Sequence, residues 1–404
     1  MDKSPKTIAI ADYDYPLPDS RIAKFPLEQR DHSKLLIYRH GEIEETIFKD
    51  IVHHLSKDTL LIFNDTKVIH ARLLFQKSTG AIIEVFCLEP YGKPAVQVFE
   101  ERRSCEWLCF IGNNKKWKES SLTLKCDVAG TEVELTAIRR EAIGNAWKVS
   151  FEWTGGYSFA EIIEAAGVIP LPPYLHREAE ESDKERYQTV YAIHSGSVAA
   201  PTAGLHFSDS VFADLRKNGI STEFITLDVG AGTFKPVSSD TIGEHEMHVE
   251  RIHITRRNIE HLLEHQMEHL LPVGTTTVRT LESVYWFGVK LIHDPSLKEM
   301  NILQWDPYEL DCAGITSIKS YQAVLEWMNR NQMDVLEGAT QLLIAPGYEY
   351  HVIHQLITNF HQPKSTLLLL VSALIGDHWK ECYQYALDHG FRFLSYGDCC
   401  LFEP

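Results

Sequence analysis

The chain has 404 residues, 44% of them apolar and 24% charged, with a formal net charge of −17. That is a globular composition and enough length for two domains, while so acidic a balance excludes nucleic-acid binding by indiscriminate phosphate neutralisation. No run reaches the roughly 20 apolar residues of a membrane span; the longest, STLLLLVSALI at 365–375, suits a buried helix.

Residues 8–36 open with an Asp12-Tyr13-Asp14-Tyr15 repeat and prolines that make the segment extended. A β-hairpin is expected over 35–39 and 42–48, about a turn at His40-Gly41. A short helical turn over 50–55 and a buried strand over 59–63 follow. That strand runs into Asn64-Asp65-Thr66, a polar triplet better explained as a turn satisfying its own backbone than as a ligand contact.

From 76 to 153 the texture changes. Alternating runs at 81–88, 95–99, 107–110, 122–124, 132–138 and 147–151 are separated by Gly, Asn or Lys turns. Strands at that spacing without helices predict a small antiparallel barrel or sandwich, inserted into a main domain made of 1–75 and 154–404. Within it, 101–150 carry nine Lys and Arg against seven Asp and Glu. That surface is either a polyanion footprint or simply solvated.

A helix over 158–166 stops at Gly167, and a rigid stretch at 169–175 and an acidic loop at 178–185 follow. Another helix runs from an N-cap at Asp209 or Ser210 to the Gly219 stop. A buried strand over 223–229 empties into Gly230-Ala231-Gly232-Thr233. Beyond it, helices over 259–269, 278–287, 315–329 and after Pro363 alternate with strands over 270–274, 341–345 and 392–396. The fold class is α/β, with a largely parallel or mixed sheet and flanking helices.

In such sheets ligands gather beyond the carboxyl ends of strands. Five polar clusters fall there: Asn64 to Thr66, Asp228 to Thr233, Gly274 to Arg279, Thr358 to His361, and Gly397-Asp398. Small residues crowd 196–204, where a backbone can approach a ligand closely, and His206 lies between Leu205 and Phe207. Gly230-Ala231-Gly232 is no dinucleotide fingerprint, because Lys235 takes the third-glycine position. His245 and His248 are three apart, so the zincin helix pattern fails, although His245, His248 and Glu250 remain a possible metal set. No serine sits in a Gly-x-Ser-x-Gly elbow. The start of the 274–282 segment favours an anion, and Arg279 can grip a carboxylate or phosphate in two-pronged fashion. Eight cysteines form no Cys-x-x-Cys pair and Met1 to Pro5 open no apolar leader, so a cytoplasmic protein with reduced thiols is expected.

Several blocks together resemble one family. They are Asp12-Tyr-Asp14, Asn64-Asp-Thr66, Ala71-Arg-Leu73, Tyr187-Gln-Thr-Val-Tyr-Ala192, Gly196 to Phe207 (GSVAAPTAGLHF), Val229-Gly-Ala-Gly-Thr-Phe234, His245-x-Met-His-x-Glu250, Gly274-Thr-Thr…Arg279-x-Leu-Glu282, Thr358-Asn-Phe-His361 and Ser395-Tyr-Gly-Asp398. Over nearly its whole length the chain is similar to the S-adenosylmethionine:tRNA ribosyltransferase-isomerases of queuosine biosynthesis. The resemblance implies a barrel-like mixed α/β main domain with an inserted β-barrel. It implies transfer of the ribosyl part of S-adenosylmethionine to 7-aminomethyl-7-deazaguanine at the wobble position of tRNA, giving epoxyqueuosine and releasing adenine and methionine. S-adenosylmethionine is then a co-substrate, no metal or cofactor is expected, and the protein is taken as a monomer.

That chemistry needs a base for the C5′ proton beside the sulfonium, an acid for the departing adenine and a neutral amine nucleophile. On this resemblance His206, His245, His248 and Glu250 are assigned to proton transfer. Thr202, Asp228, Gly230, Gly232, Thr233, Arg279, Glu282, Asn359, His361 and Asp398 are assigned to substrate binding. The sequence departs from the family pattern at Asp228 (usually His), Gln362 (Leu), Lys67 and His70 (Arg and Pro) and Ala345 (Tyr). The competing readings are a divergent paralogue with a related substrate, a metal-dependent hydrolase built on His245, His248 and Glu250, and a non-catalytic nucleic-acid-binding relative.

Overall fold

The computed structural model describes residues 4–230 and 237–404. Lys34–Arg39 pairs antiparallel with Glu42–Ile47. Between them His40 and Gly41 both take positive φ, 50° and 90°, as the two-residue turn whose twist matches hairpin strands requires. The other edge of Lys34–Arg39 pairs in parallel with Cys399–Glu403, which in turn pairs antiparallel with Leu356–Asn359. A four-stranded sheet thus joins the two ends of the sequence.

The second sheet has six strands, in the order Leu270–Pro272, Leu60–Asn64, Ser221–Asp228, Glu250–Thr255, Val335–Thr340, Met300–Ile302. Its first three are parallel to one another and the pairs around Glu250–Thr255 are antiparallel. Leu60–Asn64 is buried at all five positions, as expected of a strand covered on both faces. A parallel bridge between Val273 and Ile357 connects this sheet to the four-stranded one. The architecture is mixed α/β with several sheets.

Helix Thr275–His293 has fifteen of its 19 residues buried, Arg279 and Glu282 among them, which marks a helix enclosed by the core. It packs against Ser317–Arg330 at Gly288, where an added Cβ would lie 2.1 Å from Ser320 Oγ. The third large sheet is antiparallel, in the order Gly167–Val168, Arg72–Gln76, Ile82–Pro90, Ser104–Gly112, Ala146–Trp153, Thr131–Ile143, Leu122–Val128. It surrounds its own apolar cluster, including Leu73, Phe75, Val85, Trp107, Leu135 and Phe151, to which Phe159 and Ile163 of helix Phe159–Ala166 are added.

Four expectations are corrected. Residues 95–99 are not a strand: Ala95–Glu100 is a helix starting directly after Pro94, so helical structure interrupts the β-rich stretch. Residues 341–345 are not a strand either; the strand is Val335–Thr340. The run 392–396 makes only a bridge from Phe393 to Ile22, and the last strand is Cys399–Glu403, so Gly397-Asp398 precedes a strand instead of following one. The helix Asp209–Lys217 is capped by Ser208, whose hydroxyl accepts from Val211 N at 3.3 Å.

Candidate active site

Three of the five polar clusters contribute to the walls of one solvent-open cleft, and Asn64 of a fourth reaches it only through Thr276, 3.5 Å from Asn64 Nδ2. The cleft walls come from Ala199 to Ala203, Val229, Gly274 to Thr276, Thr358 to Gln362 and Leu394-Ser395, with Tyr174 and Tyr187 alongside. The close packing of small residues is obligatory at Gly204, where a Cβ would fall 1.9 Å from Tyr191 Oη. Asn64, at the end of its strand, is a buried clamp. Its Oδ1 accepts from Leu227 N at 3.0 Å and Thr66 N at 3.2 Å, and its Nδ2 donates to Leu227 O at 2.9 Å. The triplet is not a turn: Asn64 ends one strand and Thr66 opens the short strand Thr66–Val68, and only the Thr66 N bond is local, the other two tying Asn64 to Leu227 of the neighbouring strand.

Of the assigned residues, Thr202, Asn359 and His361 line the cleft. Thr275 and Thr276 line it too, as the first turn of a helix whose N-cap, Gly274, offers no side-chain acceptor. First-turn amides lack intrahelical acceptors and the helix dipole favours negative charge there. His361 Nε2 lies 2.9 Å from Thr358 Oγ1, and burial pulls its pKa down to about 3.

His206 stands behind the cleft wall. Its Nδ1 is 2.7 Å from Ser33 Oγ and its Nε2 3.2 Å from Asn359 Oδ1. Burial depresses its pKa to about 4.

His248, Glu250 and Arg279 form a separate chain of contacts. His248 Nε2 is 2.9 Å from Glu250 Oε1, and Glu250 Oε2 accepts from Arg279 Nη1. Arg279 also donates from Nε to Leu342 O at 3.1 Å, while its buried Nη2 has no hydrogen-bond partner among the described residues. His248 and Arg279 line a smaller cavity that shares Leu367 with the cleft. Gly230 lies between the two: a Cβ on it would be 3.6 Å from His248 Cδ2, and its neighbour Val229 lines the cleft.

The remaining assigned residues lie elsewhere. His245 is half-buried beside the Gln304 side chain, which donates to its carbonyl at 2.7 Å. Glu282 is fully buried and accepts from Tyr348 Oη at 2.7 Å and from the amides of His351, Val352 and Ile353. Burial pushes its pKa up to about 7 against those donors. Asp398 is buried and receives Lys34 N at 2.9 Å and Arg392 N at 2.7 Å. Glu282 and Asp398 therefore spend their oxygens on the protein's own donors, backbone amides and, for Glu282, the Tyr348 hydroxyl. Asp228 accepts from Thr66 Oγ1 at 3.0 Å and lies 3.5 Å from His253 Nε2. Burial lowers the His253 pKa, but the hydrogen bond and charge of Asp228 outweigh it and the net direction is up. Gly232 and Thr233 lie outside the described residues. Among the described residues no three His, Cys, Asp or Glu groups converge as a metal set would, so the His245, His248 and Glu250 triple has no such geometry.

Tyr174, Tyr187, Gln362 and Ser395 line the cleft without having been assigned. Tyr187 and Ser395 open two of the resembling blocks and Gln362 adjoins a third, so position beside an assigned residue was the available signal. Tyr174 Oη, 2.6 Å from Ser395 Oγ, carried none.

Fold and cleft together define a mixed α/β protein with a solvent-open cleft lined by hydroxyl, amide and imidazole groups. The family model described as queuosine biosynthesis protein matches residues 10–402, and the chain belongs to that family. It is similar to S-adenosylmethionine:tRNA ribosyltransferase-isomerases from Trichlorobacter lovleyi, 35% identical with 97% of this chain and 99% of the relative covered, and from Pelobacter propionicus, 34% identical with 98% and 99% covered. A crystal structure of S-adenosylmethionine tRNA ribosyltransferase from Thermotoga maritima is 25% identical, with a TM-score of 0.46 over 97% of this chain and 99% of that one.

Proposed function

We propose that the chain transfers and isomerises the ribosyl moiety of S-adenosylmethionine onto 7-aminomethyl-7-deazaguanine at the tRNA wobble position, releasing adenine and methionine. The observation that carries this is family membership over 10–402, joined to relatives of that name matched over 99% of their length. The same findings weigh against the metal-hydrolase reading. Asp228, the departure that raised the paralogue reading, has Thr66 and His253 as its partners.

In this reading the cleft holds the nucleoside. Thr202, Asn359 and His361 contact it, and the first turn of Thr275–His293 faces a negatively charged group such as the amino-acid carboxylate. His361 is too weak a base to gain a proton at neutral pH and acts as a hydrogen-bonding partner. Proton transfer falls to His248, with Glu250 orienting its ring and Arg279 holding the Glu250 charge, the arrangement by which a carboxylate fixes an imidazole's tautomer. His206 is a positioning residue that acts through Asn359. The chemistry uses S-adenosylmethionine as co-substrate, with no resident metal or cofactor.

We further propose that 76–153 is an inserted unit rooted in the Arg72–Gln76 and Gly167–Val168 strands, and that the protein is a cytoplasmic monomer. No helix among the described residues is long and apolar enough to cross a membrane. The test is incubation with S-adenosylmethionine and precursor-bearing tRNA, followed by chromatography. Adenine and methionine in equal amounts support the reading, and their absence with a folded protein defeats it.

A further inference from the structure

Ser395 lines the cleft and also a second, shallow depression, with His206 and Ser33 beside it. Arg30, Arg186 and Arg392 all line that depression. Three guanidiniums so placed repel one another, and the partners they have are poor in charge. Arg30 Nη1 donates to Gln188 O at 3.0 Å, Arg186 Nη1 to Glu28 O at 3.2 Å and Nη2 to Leu27 O, and Arg392 Nη1 to Phe25 O at 3.4 Å. Every one of these acceptors is a neutral backbone carbonyl. Of the three, Arg392 alone has a carboxylate within 4.0 Å among the described residues, Asp398 at 3.6 Å. Arg186 Nε is buried with no hydrogen-bond partner. Burial, and next the Arg186 charge, pull Arg30 below the usual guanidinium range.

A concentration of positive charge is unusual in a chain of net charge −17. We infer that Arg30, Arg186 and Arg392 form a phosphodiester-binding site that grips the RNA backbone while a neighbouring base occupies the cleft on the other side of Ser395. The inference rests on the tRNA-modifying function proposed above. Guanidiniums suit phosphate because their planar forks match its oxygens. The acidic remainder of the surface would then discourage RNA from settling elsewhere.

The experiment uses the full chain and a fluorescent anticodon stem-loop RNA, with anisotropy titrations over a range of salt concentrations. Arg186→Gln and Arg392→Gln are each expected to weaken RNA binding by about five- to tenfold near 0.1 M salt. Each should flatten the log–log salt slope by about 0.7–0.9, one phosphate contact's share. S-adenosylmethionine affinity, read by calorimetry, should stay at the wild-type value. Arg186→Lys keeps the charge but not the fork, and should retain most of the salt slope. Unchanged RNA affinity and slope in both Gln variants would overturn the proposal. So would an Arg186→Lys protein that behaves like Arg186→Gln, because the arginine would then serve only its backbone carbonyls. Arginine-dependent stabilisation by inorganic phosphate, with RNA affinity unaltered, would mark a free-anion site and also overturn it. RNA binding is read without turnover, so failure of the transferase reaction leaves this measurement standing.

Discussion

His206 and Asn359 fix each other's chemistry. Asn359 Nδ2 donates to Leu394 O at 2.9 Å and Ser395 O at 3.3 Å, so Oδ1 is the atom turned to His206, 3.2 Å from Nε2. Nε2 must therefore carry the proton, and Nδ1 accepts from Ser33 Oγ at 2.7 Å. The imidazole is neutral, with both nitrogens committed, and Asn359 brings its influence to the cleft. Replacing His206 with Ala should lower kcat/KM on the order of 10²-fold, the effect of misplacing a cleft group by about an ångström. The pH–rate profile should keep its shape. Loss of one limb of that profile would make His206 a proton carrier instead.

Glu250 and Arg279 form a buried ion pair. Glu250→Ala leaves the guanidinium without its counter-charge and should destabilise the protein by about 3–5 kcal/mol. Glu250→Ala combined with Arg279→Met removes the stranded charge and should recover much of that loss in urea unfolding. Additive losses would show that the two do not act as a pair.

Burial holds His206 at about 4 and His361 at about 3, against about 6.5 in an unfolded chain. The unfolded state takes up these protons first, so their contribution is intact above pH 6.5 and falls as the pH drops. The loss continues to about pH 4 for His206 and about pH 3 for His361. Each costs up to about 1.4 kcal/mol per pH unit in that window. His361→Gln should lose stability more gently than wild type between pH 6.5 and pH 4, by about one proton's slope. Parallel curves would contradict the buried neutral imidazole.

A Cβ at Gly204 would meet Tyr191 Oη at 1.9 Å and Thr189 Cγ2 at 3.0 Å. Gly204→Ala should therefore cost about 1–3 kcal/mol. Adding Tyr191→Phe removes the nearer atom and should restore part of the thermal stability. No rescue would place the strain elsewhere.

The parts of the fold legible in the sequence were those with local causes. The hairpin at 34–47 follows from His40-Gly41, and helix Phe159–Ala166 from the Ser158–Glu161 capping box. What failed depended on distant partners. Residues 341–345 look like a strand because they are apolar, and Gln341 N still donates to Ile302 O at 2.9 Å, yet beyond it Leu343 O accepts from Tyr308 Oη and Ala345 N donates to that hydroxyl, both at 3.1 Å, so a side chain takes over where the ladder ends. Cys399–Glu403 is a strand because Lys34–Arg39 lies beside it in parallel, a pairing across almost the whole chain. At Ala95–Glu100 the β-branched and aromatic residues suggested a strand, but Pro94 precedes a helical turn.

The site divided in the same way. Polar clusters at strand ends found the cleft, but not which cavity each side chain would enter. His206 follows the Thr202 loop yet turns behind Asn359, and His248 with Arg279 enters the cavity beyond Leu367. Glu282 and Asp398, both plausible ligands on paper, answer to backbone amides that only folding brings near.

The most direct measurement follows the atoms. The full chain is incubated with precursor-bearing tRNA and S-adenosylmethionine labelled either in the ribose or in the methyl group. We expect ribose label to enter the RNA, one adenine to be released per ribose transferred, and methyl label to remain with free methionine. Both labels staying in the small-molecule fraction, with a protein that still binds the RNA, would contradict the proposed function.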